Sequence, residues 1–135
     1  MNDDQRYKQG IQVRTEVLGE KHVHRSLENL NDFNQDFQNF ISRYAWGEVW
    51  SREGLPRHTR SLITMAILLG LDREDELRMH IRASFNNGVT KDEIKELILH
   101  CSLYAGLPAA NKAMHMAEDV FAELGIPPKK LNESK

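Results

Sequence analysis

Residues 89–106 read Val89-Thr-Lys-Asp-Glu-Ile-Lys-Glu-Leu-Ile-Leu-His-Cys-Ser-Leu-Tyr-Ala-Gly106, and this stretch decides the fold class. Thr90 and Glu93 have the spacing of a capping box, in which each side chain satisfies the other residue's free backbone N–H. Val89 and Ile94 supply the matching apolar staple across that helix start. Ile94, Leu97, Ile98, Cys101 and Ala105 then recur at steps of three and four, a period of 3.6, and Gly106 stops the run. The spacing predicts a helix with one buried face.

The same period extends outward in both directions. Pro108 opens a last helix whose inward stripe is Ala109, Ala110, Ala113, Met114, Ala117, Val120, Phe121 and Leu124, closed by Gly125. Upstream, Asp72 is placed to cap a helix with Leu77, His80, Ile81, Ser84 and Phe85 on one face and Gly88 as its left-handed stop. Pro56 begins a helix that is apolar almost all round from Leu62 to Leu69, so burial on most sides is expected. Ala45 to Leu55 breaks the period and reads as a loop or short turn. Before it, Leu27, Leu30, Phe33, Phe37, Phe40, Ile41 and Tyr44 predict one long helix, and Tyr7, Ile11, Arg14 and Leu18 another that ends at Gly19. No segment combines period-two alternation with β-branched enrichment, so the class is all-α, with about six helices.

The chain has 135 residues, 40% of them apolar. That fits a single domain over 1–135, with its core in 46–125 and a polar tail at 127–135 expected to fray. Eighteen basic and 20 acidic residues leave a net charge of −2, too little positive field to hold a phosphate backbone. The spacings of a dinucleotide fingerprint and of a P-loop are absent from the glycines. The longest apolar run, 62–71, is far shorter than the roughly 20 residues that span a bilayer. Cys101, the one cysteine, has no partner for a disulfide, and no signal-peptide pattern is present, which reads as a reduced, cytoplasmic protein. The apolar helix after Pro56, the Ala-rich last helix and the aromatic linker exceed what one small bundle hides, so a homo-oligomer is expected.

Few residues can carry chemistry. Cys101 sits on a buried stripe, where thiols are usually inert packing. The histidines lack zinc-ligand spacing; His22 and His24, in an expected loop, come nearest. His80 falls on the inward face of its helix and is either a satisfied core histidine or a catalytic one. His100 has Glu96 and Tyr104 one turn away on either side. Arg57 and Arg60, in the first turns after Pro56, can converge on an anion near a helix N-terminus; the plainer alternative pairs them with Glu48 or Glu53. Arg73, Arg78 and Arg82 are expected to pair with Glu74, Asp75 and Glu76 on a solvated face.

The block from Trp46-Gly-Glu-Val-Trp through Gly54-Leu-Pro-Arg-His-Thr-Arg60, followed by Met79-His-Ile-Arg-Ala83, Asn86-Asn-Gly-Val-Thr90 and His100-Cys-Ser-Leu-Tyr-Ala-Gly-Leu-Pro-Ala-Ala-Asn111, closely resembles the carboxymuconolactone decarboxylase family. The resemblance implies the alkylhydroperoxidase-D-like helical fold, often oligomeric as a trimer or hexamer, and a decarboxylation that uses neither cofactor nor metal. The wider superfamily includes peroxidases with a Cys-x2-Cys-x3-His motif. Aligning that histidine with His80 puts Arg73 and Glu76 where the cysteines would stand, so thiol redox chemistry is not expected. On this resemblance His80 and Glu48 are the catalytic candidates, the histidine as donor and the glutamate to orient or reprotonate it. Arg57 and Arg60 would bind substrate carboxylate, and Trp46 would exclude water. An isomerase or hydratase of a related lactone, or a non-catalytic helical module, stays open as an alternative.

Overall fold

The computed structural model describes residues 1–134, with the backbone alone for 133 and 134. Seven α-helices and no strand occur among the described residues: α1 Asp3–Leu18, α2 Glu20–Glu28, α3 Gln35–Phe40, α4 Arg57–Gly70, α5 Glu74–Ser84, α6 Lys91–Ala105 and α7 Leu107–Glu123. A π-helical segment, Ile41–Val49, follows α3 directly. The all-helical expectation holds. The chain divides into two compact units, Met1–Arg60 and the residues from Ser61 onward.

In the N-terminal unit, Asn2 and Gln5 form a reciprocal capping box at the start of α1. Gly19 ends the helix at φ 98°, with its N–H donated to the Thr15 carbonyl, and the chain turns at once into α2. Val13, Val17, Leu18, Val23 and Trp46 are buried apolar residues here. Two glycines set the packing of α1 on the π-helical segment: a Cβ on Gly10 would lie 1.7 Å from the Ser42 carbonyl oxygen, and one on Gly47 would lie 2.5 Å from that of Arg6.

The long helix expected over Leu27 to Tyr44 is broken. Asn31 Oδ1 accepts from the backbone N–H groups of Phe33 and Asn34, both at 2.9 Å, and Asn34 Nδ2 donates to the Asn29 carbonyl at 3.0 Å. These local bonds offer the backbone a turn in place of helix, which is why Asn favours such positions. Phe33, on the expected apolar stripe, is 92% exposed. The loop expected from Ala45 is helical as far as Val49, because the ladder shifts from i−4 to i−5, as when Trp50 N–H donates to the Ala45 carbonyl at 2.9 Å. His22 and His24 lie in α2 rather than a loop, with His24 Nε2 2.8 Å from Glu28.

The second unit holds a core of Met65, Leu69, Leu77, Ile81, Ile94, Ile98, Ala113 and Val120. Each fully buried Met, Leu, Ile or Val side chain contributes roughly 1.5–3 kcal/mol. The Thr90 capping box forms in full, with Glu93 N–H to Thr90 Oγ1 at 3.1 Å and Thr90 N–H to Glu93 Oε1 at 2.9 Å. Gly88 takes φ 83°, a left-handed conformation that costs glycine little. Asp72 does not cap α5. It sits at φ 59° with Arg73 as the N-cap residue, and its carboxylate accepts instead from Lys112 Nζ at 3.0 Å.

Helix α4 buries one stripe, Ser61, Met65 and Leu69, rather than most of its surface. Ile67 on the opposite face is 53% exposed. In α7 Met116 is buried while Met114 is exposed, as is Leu124 just past the helix end. Residues 126–132 are exposed, and the described chain closes with a 3-10 turn at Leu131–Ser134; the end of the stretch expected to fray, Lys135, lies outside the described residues.

Candidate active site

In the N-terminal unit, Trp46 is buried on the π-helical segment and stacks on Trp50, ring centroids 5.0 Å apart at 28°. The wider π turn puts Ser42, Trp46 and Gly47 on the face toward the interior. Glu48 points outward, with carboxylate oxygens 3.8 Å from Arg6 Nε and 3.9 Å from Arg52 Nη1. Arg57 Nη1 donates to Glu16 Oε2 at 2.5 Å, so its partner is on α1 and is neither Glu48 nor Glu53. That bond, helped by one from Gln12, holds the Glu16 carboxyl below its ordinary range. Arg60 donates from Nε to the Leu55 carbonyl at 3.2 Å and from Nη2 to that of Arg52 at 3.5 Å. Both arginines are thus braced by the segments that precede α4.

One polar residue of this unit was visible in sequence only as part of a helical stripe. Arg14 is buried on α1, and Nη1 donates to Gln38 Oε1 at 3.2 Å and to Ser42 Oγ at 3.5 Å. Burial pushes its guanidinium pKa down. A charged residue amid Gly10, Val13 and Val17 was the available signal.

In the second unit His80 is 9% exposed on the inner face of α5. Its Nε2 stands 4.0 Å from Glu76 Oε2, one turn earlier. Glu76, expected from sequence as a partner of the α5 arginines and at the place of a missing cysteine, is therefore a carboxylate next to the imidazole, and the i,i+4 spacing could have shown it. Arg78 and Arg82 do not pair within α5 as expected. Arg78 reaches Asp119 at 3.6 Å and Glu123 at 4.0 Å on α7, and Arg82 also bonds Glu123, because α5 packs against α7 and brings those carboxylates over its face. Among the described residues no group of three or more His, Cys, Asp or Glu could hold a metal ion, and no helix is long and apolar enough to cross a membrane.

An open groove of about 810 Å³ lies between α4 and α6, with Ile63, Ala66, Leu99, Leu103, His100 and Cys101 in its lining. His100 packs on Tyr104, ring centroids 5.3 Å apart. Burial pushes the Cys101 thiol pKa up, away from the thiolate a nucleophile needs. Cys101→Ser is expected to cost about 1 kcal/mol or more through a buried hydroxyl while turnover stays near that of the parent. Denaturant melts and steady-state rates measured side by side check both halves, and an inactive folded variant would make the thiol functional after all.

Comparison with known proteins adds the following. Residues 35–119 match the model of the carboxymuconolactone decarboxylase family. The chain is 83% identical to a 4-carboxymuconolactone decarboxylase of Acinetobacter baylyi, over 98% of this chain and 99% of that one. It is 39% identical to a nitrosuccinic acid decarboxylase of Metarhizium robertsii, over 87% of this chain and 82% of that one. A 4-carboxymuconolactone decarboxylase sequence of Pseudomonas putida matches along its whole length, 56% identical over 48 residues and 36% of this chain.

Proposed function

The chain belongs to the carboxymuconolactone decarboxylase family, and from that premise we infer that it removes carbon dioxide from γ-carboxymuconolactone, giving the enol-lactone of β-ketoadipate in protocatechuate catabolism. It is a carboxy-lyase. The observation that carries this is the 83% identity over 98% of the chain to the Acinetobacter baylyi enzyme. Mixing the purified protein with γ-carboxymuconolactone and following the ultraviolet absorbance of the lactone tests it. Enzyme-dependent loss of that absorbance is expected, and an unchanged spectrum would overturn the assignment.

The substrate supplies its own electron sink. The bond from the ring carbon to its carboxylate breaks, and the electron pair passes through the ring double bond to the lactone carbonyl. The carbon α to that carbonyl then takes a proton. Atoms and electrons balance without an outside acceptor, so we assign no cofactor. The protein's part is to bind carboxylate, donate to the developing oxyanion and deliver the proton.

We assign donation to His80, the buried imidazole of α5 with Glu76 4.0 Å from its Nε2, and its orientation or reprotonation to Glu48. Arg57 and Arg60 bind substrate carboxylate, and Trp46 provides an apolar wall that excludes water. What supports these roles is the burial of His80 and Trp46 and the bracing of both arginines.

We place the enzyme in the cytoplasm as a homo-oligomer, a trimer or a hexamer. Supporting assembly, Ile63 and Ile67 of α4 and Leu99 and Leu103 of α6 are large apolar residues left exposed on one unit. A face of that kind marks an interaction surface. Light scattering at micromolar concentration is expected to return a multiple of 15.6 kDa. A mass equal to one chain would refute it.

A further inference from the structure

Arg14 is 6% exposed, and its charge has no counterion among the described residues. Only Nη1 has acceptors, the neutral Gln38 and Ser42 side chains, and Nε is buried without a partner. Among the described residues no carboxylate forms an ion pair with it. Other arginines of the N-terminal unit differ in this respect: Arg6 meets Asp3 and Glu48, and Arg57 meets Glu16. Arg43 shares the deficit. Its Nε is also buried without a partner, and its guanidinium lies 5.9 Å over the Tyr7 ring.

Taking a guanidinium out of water costs several kcal/mol, which excellent geometry with an anion can offset. Here the two neutral acceptors hold one terminal nitrogen and fix the planar group, and the remaining N–H donors are left for a ligand. A guanidinium fork fits a carboxylate with two parallel bonds. We propose that Arg14 is an anion site of the N-terminal unit that takes one carboxylate of the dicarboxylate substrate. The inference rests on the decarboxylase reading for the source of that carboxylate. An acidic side chain of a second copy would offer the same chemistry.

Succinate, a dicarboxylate with no lactone to react, serves as the probe. Calorimetric titration of the full-length protein is expected to show succinate binding that weakens about 10- to 100-fold in Arg14→Gln, the scale of a lost charged hydrogen bond. Arg14→Lys should fall in between, because it keeps the charge and loses the fork. With γ-carboxymuconolactone, the Arg14→Gln effect should fall mainly on KM. Unchanged succinate affinity and KM in a folded variant would overturn the site. Unchanged affinity with a smaller assembly by light scattering would also overturn it, in favour of a carboxylate from a second copy. Where Arg14→Gln does not fold, the parent protein decides: the Arg14 Nε–H resonance in nitrogen-15 NMR must shift as succinate is added, and a fixed resonance contradicts the proposal. If succinate binds through Arg14 while the lactone is not consumed, the decarboxylase reading fails and the anion site stands; the reverse result removes only the anion site.

Discussion

Replacing His80 with alanine is expected to lower kcat by about 10²–10⁴-fold, the usual contribution of general acid-base catalysis. KM should stay close to the parent value. Negative charge reaches the lactone oxygen only as the carboxylate departs, so a donor aimed at that oxygen acts in the transition state and hardly at all in the ground state. The imidazole is buried on a helix whose Leu77, Ile81 and Ser84 are buried with it, and Ser84 Oγ donates to the Ile81 carbonyl at 2.7 Å. The alanine variant should therefore fold, at a cost set by a small cavity. Stopped-flow turnover of the folded variant at saturating lactone is the check. A kcat equal to that of the parent would take the imidazole out of the mechanism.

Gly10→Ala should be the most damaging single-methyl addition in the N-terminal unit. The new Cβ would sit 1.7 Å from the Ser42 carbonyl oxygen and 2.7 Å from its carbon. Both are backbone atoms of the π-helical segment and cannot rotate away. Alanine is favoured over glycine inside a helix by about 1 kcal/mol, but overpacking costs about 1–3 kcal/mol and at times more. With α1 forced off its neighbour the clash wins, and a net loss of about 3 kcal/mol is expected in urea denaturation. Gly54→Ala is the matched control, since nothing lies within 4 Å of the added carbon. Equal stability of the Gly10→Ala protein and its parent would contradict the packing of α1 on the π-helical segment.

The elements that could be read from sequence are those whose local signals agree. Thr90 and Glu93 cap α6 through bonds between residues three apart, and the Gly88 stop needs only one glycine at φ 83°. The stripe from Leu27 to Tyr44 misled because periodicity registers apolar residues and not the asparagine bonds that interrupt them at Asn29, Asn31 and Asn34. The π-helical segment escaped for a related reason: its buried set, Ser42, Trp46 and Gly47, follows a wider turn that a 3.6-residue search does not seek. For α4, composition showed an apolar surplus without saying that Ile63 and Ile67 stay exposed on one chain.

The site was legible to a similar degree. The inward position of His80 followed from helix phase alone. The partners of Arg57 and of Glu48 did not, because Glu16 and Arg6 are brought by α1 from far upstream in the chain. Arg14 shows the limit most plainly, since helix phase puts it on the stripe of Tyr7, Ile11 and Leu18 but does not give the neutral acceptors that hold it.

Mass spectrometry of the product formed in deuterium oxide, from lactone carrying carbon-13 in the ring carboxylate, tests the central claim most directly. The account predicts that the label leaves entirely as carbon dioxide and that the enol-lactone gains one deuteron on the carbon α to its carbonyl. Label retained in the product, as an isomerase or hydratase would leave it, would contradict the account.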